Sequence, residues 1–239
     1  MKRLGLVFLL LVGLASPALA DQIQIGYSGS SYGPYQSGSG GEFTVNPVNP
    51  AGWLDLSGYL SGTTRDIGVT GTFQTFCIEM SEYISGYSAT YNAEINQNAM
   101  YGGAGGGASG DPVSVGAGWL YSQFALGTLQ GYNYESDRLA SAAALQQAIW
   151  YLEGEVASAA GNPFVALVIS QPQFGTIGAA KADGGNTYGV FALNLTNPAT
   201  GVRAQDQLYF HRVPDGGMTL MLLGGALIGL GALRRRFRG

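Results

Sequence analysis

The sequence predicts an α+β fold: a mostly antiparallel β domain with a helical insertion near its middle, flanked by a signal peptide and a C-terminal transmembrane helix. Three observations predict it. Each end of the 239-residue chain carries an apolar run, short stretches of aromatic and β-branched residues recur between them, and two segments have helical spacing. The chain therefore divides into a signal peptide over 1–20, one domain over 21–212 and a C-terminal segment over 213–239.

The N-terminal segment has the three parts of a secretory signal peptide. Lys2 and Arg3 precede an uncharged apolar run over 4–15, and small residues at 18–20 form a cleavage site of the A-x-A type. The apolar run is too short to span a membrane comfortably, which disfavours a permanent anchor. We therefore expect export and cleavage after Ala20.

Short stretches with β-forming residues predict the strands of the central domain. Residues 72–78 are rich in aromatic and β-branched side chains, and the prolines of 46–50 predict a break after an early strand. Residues 25–41 are rich in glycine, serine and tyrosine, which predicts a loop or a loosely structured connection between strands. Residues 102–110 are rich in glycine, which predicts a loop, and they lack the context of a phosphate-binding loop. The predicted strands are 41–45, about 67–78, 187–195 and 207–210.

Two helices are predicted between these strands. The first covers 117–126, where large apolar residues recur at short spacing. The second covers 137–153, where an alanine-rich run favours helix and apolar residues recur at helical spacing. Ser136 or Asp137 can cap its N-terminus and Gly154 suits its end.

The C-terminal segment carries an uncharged apolar run over 218–233. As a helix this run would cover roughly 24 Å, slightly less than a ~30 Å hydrocarbon core. Basic residues favour the cytoplasmic side of a membrane, so residues 21–217 should lie outside. The basic residues that follow the run are Arg234, Arg235, Arg236 and Arg238.

A turn motif, an apolar helix and an arginine cluster, in this order, resemble the PEP-CTERM class of sorting signals. The turn motif is the variant that begins Val-Pro-Asp-Gly/Ser-Gly, and its residues are Val213, Pro214, Asp215, Gly216 and Gly217. The resemblance implies that an exosortase-like enzyme removes the tail. The protein would then be anchored transiently in the inner membrane and end at the cell surface or outside the cell. The alternative is an ordinary tail anchor that is not processed.

Charge and composition exclude several classes of function. Residues 21–213 hold 14 acidic and 5 basic side chains, a net charge of −9, so no basic patch is available to bind nucleic acid. Cys77 is the one cysteine and His211 the one histidine, which excludes an internal disulfide and a Cys/His metal centre. No spaced calcium loop is visible either. The sequence thus predicts no metal and no cofactor.

Two short motifs contain the residues with reactive potential. Cys77 lies in the stretch Phe-Cys-Ile-Glu on a predicted strand, and Gln146 begins the stretch Gln-Gln-Ala-Ile-Trp on a predicted helix. They resemble the motifs of thioester domains of bacterial surface proteins, although Leu145 stands where those domains often have Thr. The resemblance implies an internal thioester between the sulfur of Cys77 and the side-chain carbonyl of Gln146. Adjacent Gln147 leaves a one-residue ambiguity.

A thioester would give the exported protein a stored electrophile. A free thiolate is a strong nucleophile that would be oxidised outside the cell, whereas an acylated sulfur waits for an amine such as a target lysine. This chemistry predicts covalent attachment to an amine-bearing surface target rather than an enzyme, so no catalytic residue is expected. One alternative is an inert matrix protein, associated with exopolysaccharide, in which Cys77 is simply buried. Another is a hydrolase that uses Cys77 and His211.

Overall fold

In the computed structural model the protein combines a mostly antiparallel, curled β-sheet with a few helices, as predicted. The structure describes residues 21–26, 31–37, 40–49, 54–56, 59, 71–100 and 109–211. The predicted signal peptide, turn motif, transmembrane helix and arginine cluster lie outside these residues. Among the helices that are described, none has the length and apolar character needed to cross a membrane.

The main sheet of the described residues has six strands, and every pairing in it is antiparallel. The strands run in the order β10-β9-β6-β1-β4-β5. Two further pairs, β2 with β3 and β7 with β8, form small hairpin-like ribbons. The strands are β1 (Gln22–Ile25), β2 (Gln36–Ser37), β3 (Gly40–Gly41), β4 (Phe43–Asn49), β5 (Phe73–Thr75), β6 (Ala89–Asn96), β7 (Asn98–Ala99), β8 (Asp111–Pro112), β9 (Val190–Thr196) and β10 (Arg203–Phe210).

The sheet curls until its two outer strands meet. The chain that leaves β5 pairs with β10 through backbone hydrogen bonds from Ile78 N–H to Asp206 O, at 3.1 Å, and from Leu208 N–H to Phe76 O, at 3.0 Å. Cys77 and Gln207 form an isolated antiparallel bridge between these bonds. This contact, which we call the seam, satisfies backbone groups that the two edges would otherwise leave exposed.

Four helices pack with this sheet. Polar side chains cap the N-terminal ends of some of them. Ser114 accepts a hydrogen bond from Ala117 N–H at the start of α1, and Asn162 accepts from Phe164 N–H at the start of α3. Aromatic rings fill the space between helix and sheet, as in the edge-on contact of Phe76 with Phe124, whose centroids lie 5.0 Å apart. The helices are α1 (Val115–Ala125), α2 (Arg138–Leu152), α3 (Pro163–Ser170) and α4 (Ile177–Ala180).

The two predicted helices are present within about two residues of their expected ends, but several strand predictions were wrong. Strand β4 continues through Pro47, where a break was predicted, because Pro47 pairs with Ile23 beside a shift in register that tolerates a missing N–H. The segment 25–41, predicted as a loop or a loosely structured connection between strands, contains the two-residue strands β2 and β3. In the predicted region 67–78 the described strand is only β5. Strands β1 and β6 and helices α3 and α4 were not predicted.

A buried ion pair joins helix α2 to the start of β4. The guanidinium of Arg138 donates to both carboxylate oxygens of Glu42, at 2.8 and 2.9 Å, and both side chains are buried. The hydroxyl of Tyr132 donates to the same carboxylate, and the Tyr35 ring lies 4.4 Å from the guanidinium carbon. Because the charges are matched and hydrogen-bonded, the pair fixes α2 against the segment that contains Gly40 and Gly41.

We predict that removing one partner of this pair is strongly destabilising. Arg138→Met should lower the free energy of unfolding by about 3–5 kcal/mol, because it leaves the carboxylate of Glu42 buried without its cation. Denaturant unfolding of purified protein measures the change. The double variant Glu42→Leu with Arg138→Met should regain part of the loss, and a single-variant change under about 1 kcal/mol would contradict the assigned role.

Candidate thioester site

Cys77 lies at the seam and is completely buried. Its neighbours Phe76 and Ile78 make the backbone hydrogen bonds to β10, so the sheet itself holds the position of Cys77. Both of these neighbouring side chains are buried in the core as well. The Cys77 backbone is therefore fixed by covalent and hydrogen-bonded neighbours on each side.

Gln146 meets Cys77 from helix α2, and its side chain is 1% exposed despite being polar. Its Oε1 lies 3.1 Å from Cys77 Sγ and accepts a hydrogen bond from Cys77 N–H at 3.2 Å. Its Nε2 donates to Cys77 O at 2.8 Å. Both polar atoms of the Gln146 amide are thus oriented by one residue, which holds the amide beside the sulfur.

Gln147, the alternative in the sequence, occupies a different position. Its side chain is exposed and lines a surface cleft, whereas that of Gln146 points into the protein against Cys77. Adjacent residues on an α-helix project in directions that differ by about 100°, because the helix has 3.6 residues per turn. Of the two glutamines, Gln146 is the one with described hydrogen bonds to Cys77, which favours the first of them as the partner of the sulfur.

Gly40 leaves space for the Gln146 side chain. A methyl group placed on Gly40 would lie 2.5 Å from Cγ of Gln146, 3.3 Å from its Cδ and 3.0 Å from Cη2 of Trp150. Real contacts of this kind essentially never reach 2.5 Å, so any other residue would push the amide or the indole away. Beyond the general abundance of glycine over 25–41, no sequence pattern indicates this role of Gly40.

Burial controls the chemistry of the thiol. It raises the pKa of Cys77 well above its usual range, and the backbone N–H of Cys77 and the indole N–H of Trp150 oppose that rise only in part. A free Cys77 would therefore remain a neutral thiol. Trp150 lies one helical turn after Gln146 and is itself buried, so it helps to exclude water from the sulfur.

A cleft of about 430 Å³ gives access to this pair from the surface. Gln146 contributes to its lining although its side chain is nearly buried, so a small molecule in the cleft approaches the amide directly. Most of the other lining groups are apolar or aromatic. The cleft is lined by Gln146 together with Gly40, Met80, Tyr83, Ala143, Gln147 and Trp150.

The described contacts of His211 do not include Cys77 or Gln146. Its Nδ1 is 3.7 Å from Oδ2 of Asp55, and both side chains are nearly half exposed. The thiol of Cys77 contacts Gln146, and its raised pKa disfavours the thiolate that a cysteine hydrolase needs. The structure therefore gives no support to a Cys77–His211 pair.

Comparison with known protein families identifies the C-terminal segment. Residues 212–237 match the VPDSG-CTERM motif. The tail is a PEP-CTERM-type sorting signal. The matched range includes Val213–Gly217 and the arginines at 234–236, and ends just before Arg238.

The VPDSG-CTERM motif supports an exported protein that is sorted to the cell surface, and it is consistent with processing by an exosortase-like enzyme. It covers only the tail and carries no information about the chemistry of residues 21–211. No curated protein and no solved structure matches the sequence. The function of the domain therefore has to be argued from its own geometry.

Proposed function

We propose that the exported domain forms an internal thioester between Cys77 and Gln146 and uses it to attach covalently to amine-bearing targets at the cell surface. The observation that supports this best is the buried contact of the two side chains, with 3.1 Å between Sγ and Oε1. A glutamine amide is rarely buried in a protein core unless other groups form hydrogen bonds with it. Here its hydrogen bonds hold it in position for a reaction.

Formation of the bond needs no external reagent. The sulfur attacks Cδ of Gln146, the carbon–nitrogen bond breaks, and the thiol proton leaves with the amide nitrogen as ammonia. The backbone N–H of Cys77 already donates to Oε1, the oxygen on which negative charge develops during the attack. An acylated sulfur has no ionisable proton, so the product is as compatible with the buried position as the neutral thiol is.

The stored bond would react with an amine that enters the cleft. The amine nitrogen attacks Cδ of Gln146, the sulfur leaves and takes up a proton, and an amide bond joins Gln146 to the target. The side chains of Tyr83 and Trp150 line the approach and offer aromatic surface to the carbon stem of a lysine. The freed Cys77 would again be a neutral, buried thiol.

The lysine content of the exported part is compatible with this reactivity. Lys181 is the only lysine between residues 21 and 212, and its Nζ lies 4.2 Å from the centre of the Tyr151 ring. An exported protein with few amines has few opportunities to react with itself or with its own copies. Lysine scarcity alone would not establish the thioester, but it removes an obstacle to storing one.

Methylamine tests this function because it is a small amine that fits the cleft. We expect wild-type protein to take up one methylamine per chain, located on Gln146 by peptide mapping, and to release one thiol that can be labelled at Cys77. Protein that takes up no methylamine, or takes it up on another residue, would contradict the proposal.

An inert matrix protein is the second candidate, and one observation favours it. Cys77 and Gln146 already satisfy each other as a neutral, hydrogen-bonded pair, which would also be stable without any covalent bond. In that case the domain would act through its surface alone, for instance against exopolysaccharide. Its cysteine would stay unreactive while folded and become an ordinary thiol on unfolding.

A further inference from the structure

Three carboxylates lie together beside the seam. Glu79 follows Cys77 by two residues, Asp206 lies on β10 beside the Cys77–Gln207 bridge, and Glu82 follows in the same segment as Glu79. One oxygen from each of the three side chains lies within 4.8 Å of the other two. The cluster therefore joins the segment that contains Cys77 to the strand that completes the sheet.

Glu79 has the feature that distinguishes this cluster from an ordinary acidic patch. The residue is fully buried, and no hydrogen-bond donor within the described part of the chain reaches either of its carboxylate oxygens. The two oxygens of Glu82 are buried as well, although the residue as a whole is only partly buried. Buried carboxylates without donors are costly unless a proton or a cation neutralises them.

Asp206 differs because the fold holds it as an acceptor. Its carboxylate accepts from Leu195 N–H at 3.0 Å, from Asn194 Nδ2 at 2.7 Å and from Met100 N–H. These three donors hold the carboxylate in place and stabilise its charged form.

The charges around the cluster do not balance it. Glu82, Asp206 and Glu155 all add negative potential at Glu79. Arg203 acts on Glu82 in the opposite sense. Arg203 near Glu82 offsets only part of the negative charge of the three carboxylates. The excess of negative charge favours a divalent cation over a monovalent one.

We propose that Glu79, Glu82 and Asp206 bind one Ca²⁺ ion that links the Cys77 segment to strand β10. Calcium takes six to eight oxygen ligands at about 2.3–2.6 Å, so two oxygens on one ion lie at most roughly 4.6–5.2 Å apart. The three oxygens lie within 4.8 Å of one another, so small side-chain movements would bring all three onto one ion. Waters would complete the coordination, and the partial exposure of Glu82 leaves a route to solvent.

The inferred site has a mechanical consequence for the seam. Two of its ligands come from the chain after Cys77 and one from β10, so a bound ion would resist separation of the strands at the position of Cys77. Glu79 O also accepts a hydrogen bond from Gln205 Nε2 at 3.0 Å, which aligns the same two segments. The ion site does not depend on the proposed thioester, since no ligand belongs to Cys77 or Gln146.

Calcium titration of the purified full chain, stripped with a chelator, tests the inference directly. We expect one Ca²⁺ per chain by isothermal titration calorimetry and a higher thermal unfolding midpoint with Ca²⁺ than with chelator. Glu79→Gln should weaken binding at least roughly tenfold, because it removes a charged ligand while keeping the size of the side chain. Glu94→Gln is the matched control, since Glu94 is exposed on β6, and should bind as wild type does.

The opposite results would show that a shared proton, and not a bound cation, neutralises the cluster. Stripped wild-type protein that binds no Ca²⁺, or Glu79→Gln protein that binds it as tightly as Glu94→Gln does, would overturn the site. If Glu79→Gln does not fold, Glu82→Gln serves in its place, because that residue is only partly buried. The same titration in Cys77→Ala should still show binding, which separates this inference from the thioester.

Discussion

Replacing Cys77 with alanine is expected to abolish methylamine incorporation completely, because no other described atom is placed to activate the Gln146 carbonyl. The variant should keep its Gln146 amide and therefore carry the full mass expected from its sequence. Gln146→Ala should abolish incorporation as well, but it should leave a free thiol at Cys77 that reacts with alkylating agents once the protein is denatured. Both variants should thus lose amine uptake, but only Gln146→Ala should have a thiol that can be alkylated.

Gln147→Ala is the matched control for these two variants. Gln147 lies next to Gln146 and lines the same cleft, but its side chain is exposed and makes no described contact with Cys77. We expect this variant to incorporate methylamine as wild type does. If Gln147→Ala lost incorporation while Gln146→Ala kept it, the assignment of the acyl group would be wrong by one residue.

Gly40→Ala is expected to slow thioester formation by about a hundredfold, because misplacement of a reacting group by about 1 Å can have an effect of that size. The added methyl group would approach Gln146 Cγ to 2.5 Å and Trp150 Cη2 to 3.0 Å, so the amide or the indole must move. The rate follows from the ammonia released, or from the loss of thiol that can be alkylated, as freshly refolded protein matures.

Gly178→Ala provides the comparison for Gly40→Ala. Gly178 lies in α4, where an added methyl group would meet no atom within 4 Å, and alanine favours helix over glycine. Its thioester should form at the wild-type rate. Equal rates for Gly40→Ala and wild type would show that contact between Gly40 and Gln146 has no part in the reaction.

Local patterns in the sequence predicted the helices better than the strands. The alanine-rich, periodic segment of α2 was located to within one residue at each end, because helix formation depends on neighbours in sequence. Strand β1 was missed because it has only four residues, and β6 because its polar residues, such as Asn92 and Glu94, weaken the alternation. The prolines of 46–50 indicate a break, but the irregular pairing beside Pro47 accommodates this residue within β4.

The sequence predicted only part of the candidate site, because contacts between distant segments have no local sequence pattern. Cys77 and Gln146 were singled out by the motifs around them, and the structure places their side chains in contact. The role of Gly40 depends on the packing of a ribbon against α2, and the acidic cluster depends on closure of the sheet. Neither Glu79 nor Asp206 has a sequence pattern that relates it to the other, so only the folded chain brings them together.

The most direct measurement is alkylation of Cys77 in freshly purified wild-type protein that has been denatured without exposure to amines, combined with its intact mass. A thioester predicts that Cys77 resists alkylation even when unfolded, since its sulfur is acylated, and that the protein is lighter by one ammonia than its sequence. A merely buried thiol becomes accessible on unfolding. Complete alkylation of Cys77, together with the full sequence mass, would contradict the thioester and leave the inert matrix protein in its place.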